Sequence, residues 1–169
     1  ELKRFSFGSP EKPTEFLDIQ FSKSGDKLAI SGFEILAIFD TKTWQKKQAA
    51  PEKFLDKNVL LNGWKIAFSP LEKTLAVGTF EGNVAFLDAE TLEIIRVLKI
   101  HQSNVKSLAF SADGKILATA SWDRTVKFVD VQTGEIINEL RGHFAGVHEI
   151  FFSPDGKTLG TASADFTVN

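Results

Sequence analysis

Four segments of the chain align without gaps: FSKSGDKLA (21–29), FSPLEKTLA (68–76), FSADGKILA (110–118) and FSPDGKTLG (152–160). Their serines, Ser22, Ser69, Ser111 and Ser153, lie 47, 42 and 42 residues apart, each preceded by Phe and followed six residues later by Leu. A repeat of this period constrains the fold strongly. Each unit is too small to bury its own apolar face, so the units must stack on one another.

Within one period the pattern is that of short strands. Residues 105–111, VKSLAFS, form an apolar β run, and SADGK is a turn with Gly114 where a positive φ is often needed. ILATAS reads as a second strand, WDR as a tight turn, TVKFVD as a third strand, VQTGE as another turn and IINELR as a fourth strand. Four strands in about 42 residues leave little room for helices, and the expected class is all-β. An ordinary β-sandwich would not repeat in this way.

The motif set Gly142-His143, FSPDGK (152–157), S-x-D, TVK-x-x-D and TGE resembles the WD-repeat family of β-propellers. In that family each repeat of about 40–45 residues builds one four-stranded antiparallel blade. The resemblance is strongest over 101–169 and weakest over 1–63, where the loop at 50–63 is longer. It implies a single domain, 1–169, of about four blades at 16–49, 64–99, 105–141 and 147–169, with residues 1–7 as an outer strand. The expected forms are a partial propeller with further blades in a longer chain, a self-associating half-propeller, or a small ring closed through residues 2–5.

Counting from the aligned serines, the acidic turn positions are Glu34, Glu81, Asp123 and Asp165, and the strand residues two earlier are Gly32, Thr79, Ser121 and Ser163. His101 and His143 each stand 22 residues before their Asp. The resemblance implies buried hydrogen-bond networks built from His101, Ser121 and Asp123, and from His143, Ser163 and Asp165. The family's Trp, due just before the last Asp of the third strand, is replaced by Phe39, Leu87 and Val129. Trp122-Asp123 is therefore not the family's namesake dipeptide: its Asp is structural and its Trp stands at a loop tip.

Ser, His and Asp together also suggest a hydrolase. The trio occurs twice in equivalent repeats, with Ser on a regular strand and no Gly-x-Ser-x-Gly elbow, so the expectation is a non-enzyme with no catalytic residues. His143 and His148 lack a third ligand at matching spacing, no phosphate-binding glycine motif is present, and neither metal nor cofactor is expected. Lys42 and Lys46-Lys47 read as a solvated strand edge. A net charge of -2 argues against nucleic acid as a partner, and no apolar run approaches the roughly 18 residues of a membrane span. The absence of Cys excludes thiol chemistry and suits a reducing, cytoplasmic setting.

One row of residues points to binding. The position before the acidic turn residue holds Phe33, Phe80, Trp122 and Ala164, and the position five before each aligned Ser holds Leu17, Trp64, Lys106 and His148. In WD-repeat propellers both positions lie on the face around the channel mouth. Phe33, Phe80, Trp122, Trp64, Lys106 and His148 are the candidate partner-binding residues. The resulting expectation is a rigid scaffold that docks a protein or peptide. The rival expectations are a sensor or regulatory portion of a larger signalling or NTPase chain, of a kind familiar in bacteria, and a propeller enzyme.

Overall fold

The computed structural model describes residues 8–9, 12–13, 16–32, 35–48 and 63–169. Among these, every regular element is a β-strand and every pairing is antiparallel. A short hairpin, β1 (Gly8–Ser9) with β2 (Lys12–Pro13), precedes the repeats. Blade 1 runs β3 (Phe16–Phe21), β4 (Lys27–Gly32), β5 (Ile35–Asp40) and β6 (Lys46–Gln48). Blade 2 runs β7 (Gly63–Phe68), β8 (Thr74–Thr79), β9 (Asn83–Asp88) and β10 (Ile94–Lys99). Blade 3 runs β11 (Val105–Phe110), β12 (Ile116–Ser121), β13 (Val126–Asp130) and β14 (Ile136–Leu140). Blade 4 supplies β15 (Val147–Phe152) and β16 (Leu159–Ser163), with Val168 bridging back to Ala162. Residues 1–7, Phe33, Glu34 and the 50–62 part of the long loop lie outside the described residues.

The repeated Phe-Ser has a local cause. Each serine hydroxyl accepts the backbone N–H five residues on: Lys27 to Ser22 at 3.1 Å, Thr74 to Ser69 at 3.3 Å, Ile116 to Ser111 and Thr158 to Ser153 both at 3.0 Å. The serine thereby clamps the first hairpin turn, whose third residue after Ser has positive φ: Gly25, Glu72, Gly114 or Gly156. The Asp that ends the third strand caps the next turn by the same logic. Asp40, Asp88 and Asp130 accept the N–H of Thr43, Thr91 and Thr133 at 2.7 to 2.8 Å.

Strand alternation gives each blade two unequal faces. The second strands put Leu28, Leu75 and Leu117 on one face and Ala29, Ala76 and Ala118 on the other, all buried. Large side chains of one blade meet small ones of its neighbour. Ala67, Ala76, Val84 and Phe86 of blade 2 pack with Val105, Leu108, Leu117 and Val129 of blade 3. Gly78 permits this approach, because a Cβ there would fall 2.6 Å from Cγ1 of Val105. Phe39, Leu87 and Val129 fill the missing Trp position as fully enclosed apolar groups.

The inner strands pack in the order β3, β7, β11, β15. The described blades thus follow one another around an axis as part of a propeller. At every inner strand the register slips at one place, between Phe16 and Asp18, Gly63 and Lys65, Val105 and Ser107, and Val147 and Glu149. The skipped residues are Leu17, Trp64, Lys106 and His148.

Candidate interaction site

The polar network of blade 3 is built around His101, which is fully buried. Its Nδ1 donates to the Asp123 carboxylate at 2.9 Å, and its Nε2 bonds the Thr119 hydroxyl at 2.8 Å. A carboxylate can only accept, so Nδ1 carries the hydrogen. The other Asp123 oxygen accepts the Thr125 hydroxyl at 2.6 Å, and the Gln102 N–H closes the loop at 3.0 Å. Burial alone would raise the Asp123 pKa. The hydrogen bonds from His101, Thr125 and Gln102 outweigh it and hold the group well below the carboxylate range.

Blade 4 repeats the arrangement. His143 reaches Asp165 at 2.9 Å and Thr161 at 2.8 Å, while Thr167 donates to Asp165 at 2.6 Å. The Thr167 hydroxyl, with the Phe144 N–H and His143, likewise keeps Asp165 ionised far below its ordinary range.

One residue in each network differs from the sequence expectation. The hydroxyl on the histidine is Thr119 or Thr161, not Ser121 or Ser163. Ser121 instead donates to the Ser103 carbonyl at 3.1 Å and accepts the Asp123 N–H at 3.0 Å; Ser163 does the same with Ala145 and Asp165. Thr119 and Ser121 share one strand face, so periodicity cannot separate them. The loop carbonyl captures the nearer hydroxyl and leaves the deeper one to the imidazole. Neither Ser121 nor Ser163 bonds its histidine; each ties the turn to the loop before the inner strand. In blade 2 the equivalent acidic residue, Glu81, has one enclosed carboxylate oxygen with no hydrogen-bond partner.

The second constellation lies at the start of the inner strands, where the register slips. A bulge leaves one residue out of the ladder and re-aims its side chain. On blades 3 and 4 those residues are Lys106 and His148, and they meet at Trp122. The His148 ring stands edge-on to the Trp122 indole, 5.6 Å away and inclined at 75°, and the Lys106 ammonium lies 5.7 Å from its centroid. The latter is within cation–π range. Trp122 is anchored by its N–H to the Asn104 carbonyl at 3.0 Å. Gly146 lies beneath it, and a Cβ there would meet Trp122 atoms at 3.0 to 3.1 Å. Trp122 nevertheless remains 49% exposed.

Thus Trp122, Lys106 and His148 converge. Phe80, at the equivalent loop position of blade 2, is half-buried. Phe33 and the Trp64 side chain lie outside the described residues. Three further residues gather at this end of the inner strands and escaped the sequence reading: Lys65, Ser107 and Glu149, one position beyond the bulges of blades 2, 3 and 4. The Ser107 hydroxyl donates to Glu149 at 2.6 Å, and Lys65 lies 3.7 Å from the same carboxylate. Their shared offset from the aligned serines was the available signal. Among the described residues no group of three or more His, Asp or Glu side chains could hold a metal ion.

Residues 92–130 and 134–169 match the family model described as WD domain, G-beta repeat. No curated protein matches the chain. A solved structure with the same fold is a chain in the crystal structure of the mitotic checkpoint complex, with a TM-score of 0.78 and 21% sequence identity. The match covers 89% of this chain and 46% of that one, so this chain spans less than half the length of its structural neighbour.

Proposed function

On the premise that this chain carries WD repeats, we propose that it is a non-enzymatic docking module that binds a protein segment at the mouth lined by Trp122, Lys106 and His148. The observation that carries this reading is the state of Trp122: half-exposed, yet held by a backbone hydrogen bond, a glycine seat and a neighbouring ring. Large aromatic groups dominate interface energies. One that is already immobile loses little entropy on binding. The bracing networks beneath it serve the same end, since they tie the loops carrying Trp122 and Ala164 to the buried strands. Phe80, and Phe33 and Trp64 by their repeat positions, extend the candidate surface around the mouth.

The test is selection of peptides from a random displayed library on the chain, followed by titration of the enriched sequences. Trp122→Ala should weaken their binding by at least about 2 kcal/mol, the scale of an aromatic hot spot. Its thermal midpoint should stay near that of the parent. Enriched peptides that bind Trp122→Ala as tightly as the parent would remove the mouth as the docking site.

A further inference from the structure

We infer that two copies of this chain pair head to tail, the inner strand of blade 1 in one copy seating on the uncovered face of blade 4 in the other. Both halves of a blade-to-blade joint are present in the chain, and they do not meet. The backward half is on β3. Ile66, Leu108 and Ile150, together with Phe68, Phe110 and Phe152, pack into the core that each shares with the preceding blade. Their blade 1 counterparts, Ile19 and Phe21, are exposed. The forward half is on β15. Ala67 and Ala109 pack into the core shared with the following blade, whereas Phe151, at the same repeat position, is exposed. Its ring lies over Gly160, where a Cβ would come within 3.3 Å of it. Phe151 on Gly160 thus presents a broader apolar surface than Ala67 on Ala76 or Ala109 on Ala118.

A polar contact makes the two halves complementary. The inner strand is the edge of each blade, so its outward N–H groups are open to a partner from another blade. The position one beyond the bulge supplies that partner. Asp18 of blade 1 accepts the Ile66 N–H of blade 2 at 3.0 Å, and Ser107 of blade 3 accepts the Ile150 N–H of blade 4 at 3.2 Å. Lys65, at this position in blade 2, carries no acceptor. In blade 4 the position holds Glu149, whose half-exposed side chain takes the Ser107 hydroxyl and lies 3.7 Å from the Lys65 ammonium. A carboxylate offers about four acceptor sites, so these contacts leave room for one N–H more. The matching N–H is that of Ile19. Among the described residues it has no preceding blade to reach, and it turns to its own neighbour, Asp18, at 3.0 Å. In the pair, Glu149 of one copy takes the Ile19 N–H of the other, and Phe151 packs on Ile19 and Phe21. The joint is heterologous, so two copies satisfy each other at both ends. Leu28 and Phe39 of blade 1 are already buried, which confines the seam to a strip along the inner strands and keeps the pair weak.

Sedimentation equilibrium over a range of concentrations tests this. The parent should pass from one chain to two below about 1 mM. Phe151→Asp and Ile19→Asp should each raise the dissociation constant at least about tenfold. Mixed together, these two variants should pair more tightly than either alone, because one joint of the mixed pair is intact. Glu149→Ala should weaken pairing more than Glu149→Gln, which keeps an acceptor oxygen. Ile95→Ser, at an exposed site on the outer strand of blade 2, should pair like the parent. In dilute samples, where the chain is single, Phe151→Asp and Ile19→Asp should melt with the parent, since both groups are exposed there. A chain that stays single at about 1 mM would overturn the inference. So would pairing that is lost in Phe151→Asp but kept in Ile19→Asp, which would place the blade 4 face against itself, or assembly that grows beyond two copies.

Discussion

Blades 3 and 4 carry the same brace in different surroundings. His101 and His143 reach their aspartates at the same 2.9 Å and their threonines at the same 2.8 Å. Yet blade 3 is packed on both faces, while among the described residues blade 4 has a neighbouring blade only on one. At the same repeat position Ala109 of blade 3 packs against the buried cluster shared by blades 3 and 4, whereas Phe151 of blade 4 is 60% exposed. Blade 1 gives the mirror case: Ile19 is 61% exposed, but its counterparts Ile66, Leu108 and Ile150 are all buried. Bond geometry inside a blade is thus a local property, and burial is conferred by the next blade. Residues that match in sequence and in hydrogen bonding should still differ in what they contribute to stability.

The largest test of that contrast is a matched pair of core truncations. Leu117 is fully enclosed, so Leu117→Ala should cost about 2–5 kcal/mol in chemical denaturation. Leu159, its counterpart, is only half-buried, and Leu159→Ala should cost less than half as much. Equal losses would mean that blade 4 is as well covered as blade 3.

Next come the histidines. His101→Ala leaves Thr119 and Asp123 without their partner in a sealed site, and about 1–3 kcal/mol should be lost. His143→Ala should cost less, because Thr167 and Asn169 beside it are exposed and water can take over. A loss in His143→Ala as large as that in His101→Ala would contradict the dependence on neighbours. Ser121→Ala tests the corrected assignment separately. It should free the Ser103 carbonyl and the Asp123 N–H, and should shift the His101 side-chain resonances in a nuclear magnetic resonance spectrum less than Thr119→Val, which removes a direct partner of the ring.

A smaller effect is expected with pH. The Asp123 pKa is lowered from 3.8 in the folded chain, so its stabilising contribution is complete above the unfolded value. It is lost progressively as pH falls below about 4 toward the lower folded value. Asp123→Asn should be less stable at neutral pH and should flatten the acid limb of a stability profile. An acid limb unchanged by the substitution would show that Asp123 carries none of it.

The smallest effect is at the open face. In a dilute sample, where the chain is single, Phe151→Ala should change stability by no more than about 0.5 kcal/mol, as substitutions away from packed features do. A loss of several kcal/mol would place Phe151 in a covered interface, as would be the case if another blade or another chain packed there.

Much of this molecule is legible along its length. The spacing of Ser22, Ser69, Ser111 and Ser153 identifies the blades, because one hydroxyl clamps one hairpin turn in each. The 22-residue offset from His101 to Asp123 finds a true hydrogen bond, since the offset spans a fixed hairpin. The choice of Thr119 over Ser121 was not legible. Both hydroxyls point to one side of β12, and only the position of the Ser103 carbonyl separates them. The mouth was legible as a row of positions but not as an object. Nothing in the spacing shows that Lys106 and His148 are bulge residues, or that His148 turns its ring to Trp122 of the preceding blade.

By itself the sequence determined what lies within one period: strand alternation, turn chemistry and the brace, all set by residues that are near neighbours along the chain or across one hairpin. Tertiary structure alone decided what lies between periods: which face is covered, which side chains gather at Trp122, and how far Trp122 is exposed. Those depend on how two blades seat against each other, through close approaches such as Gly78 on Val105 and Gly146 on Trp122. The residues involved are tens of positions apart, and no local pattern encodes their distance.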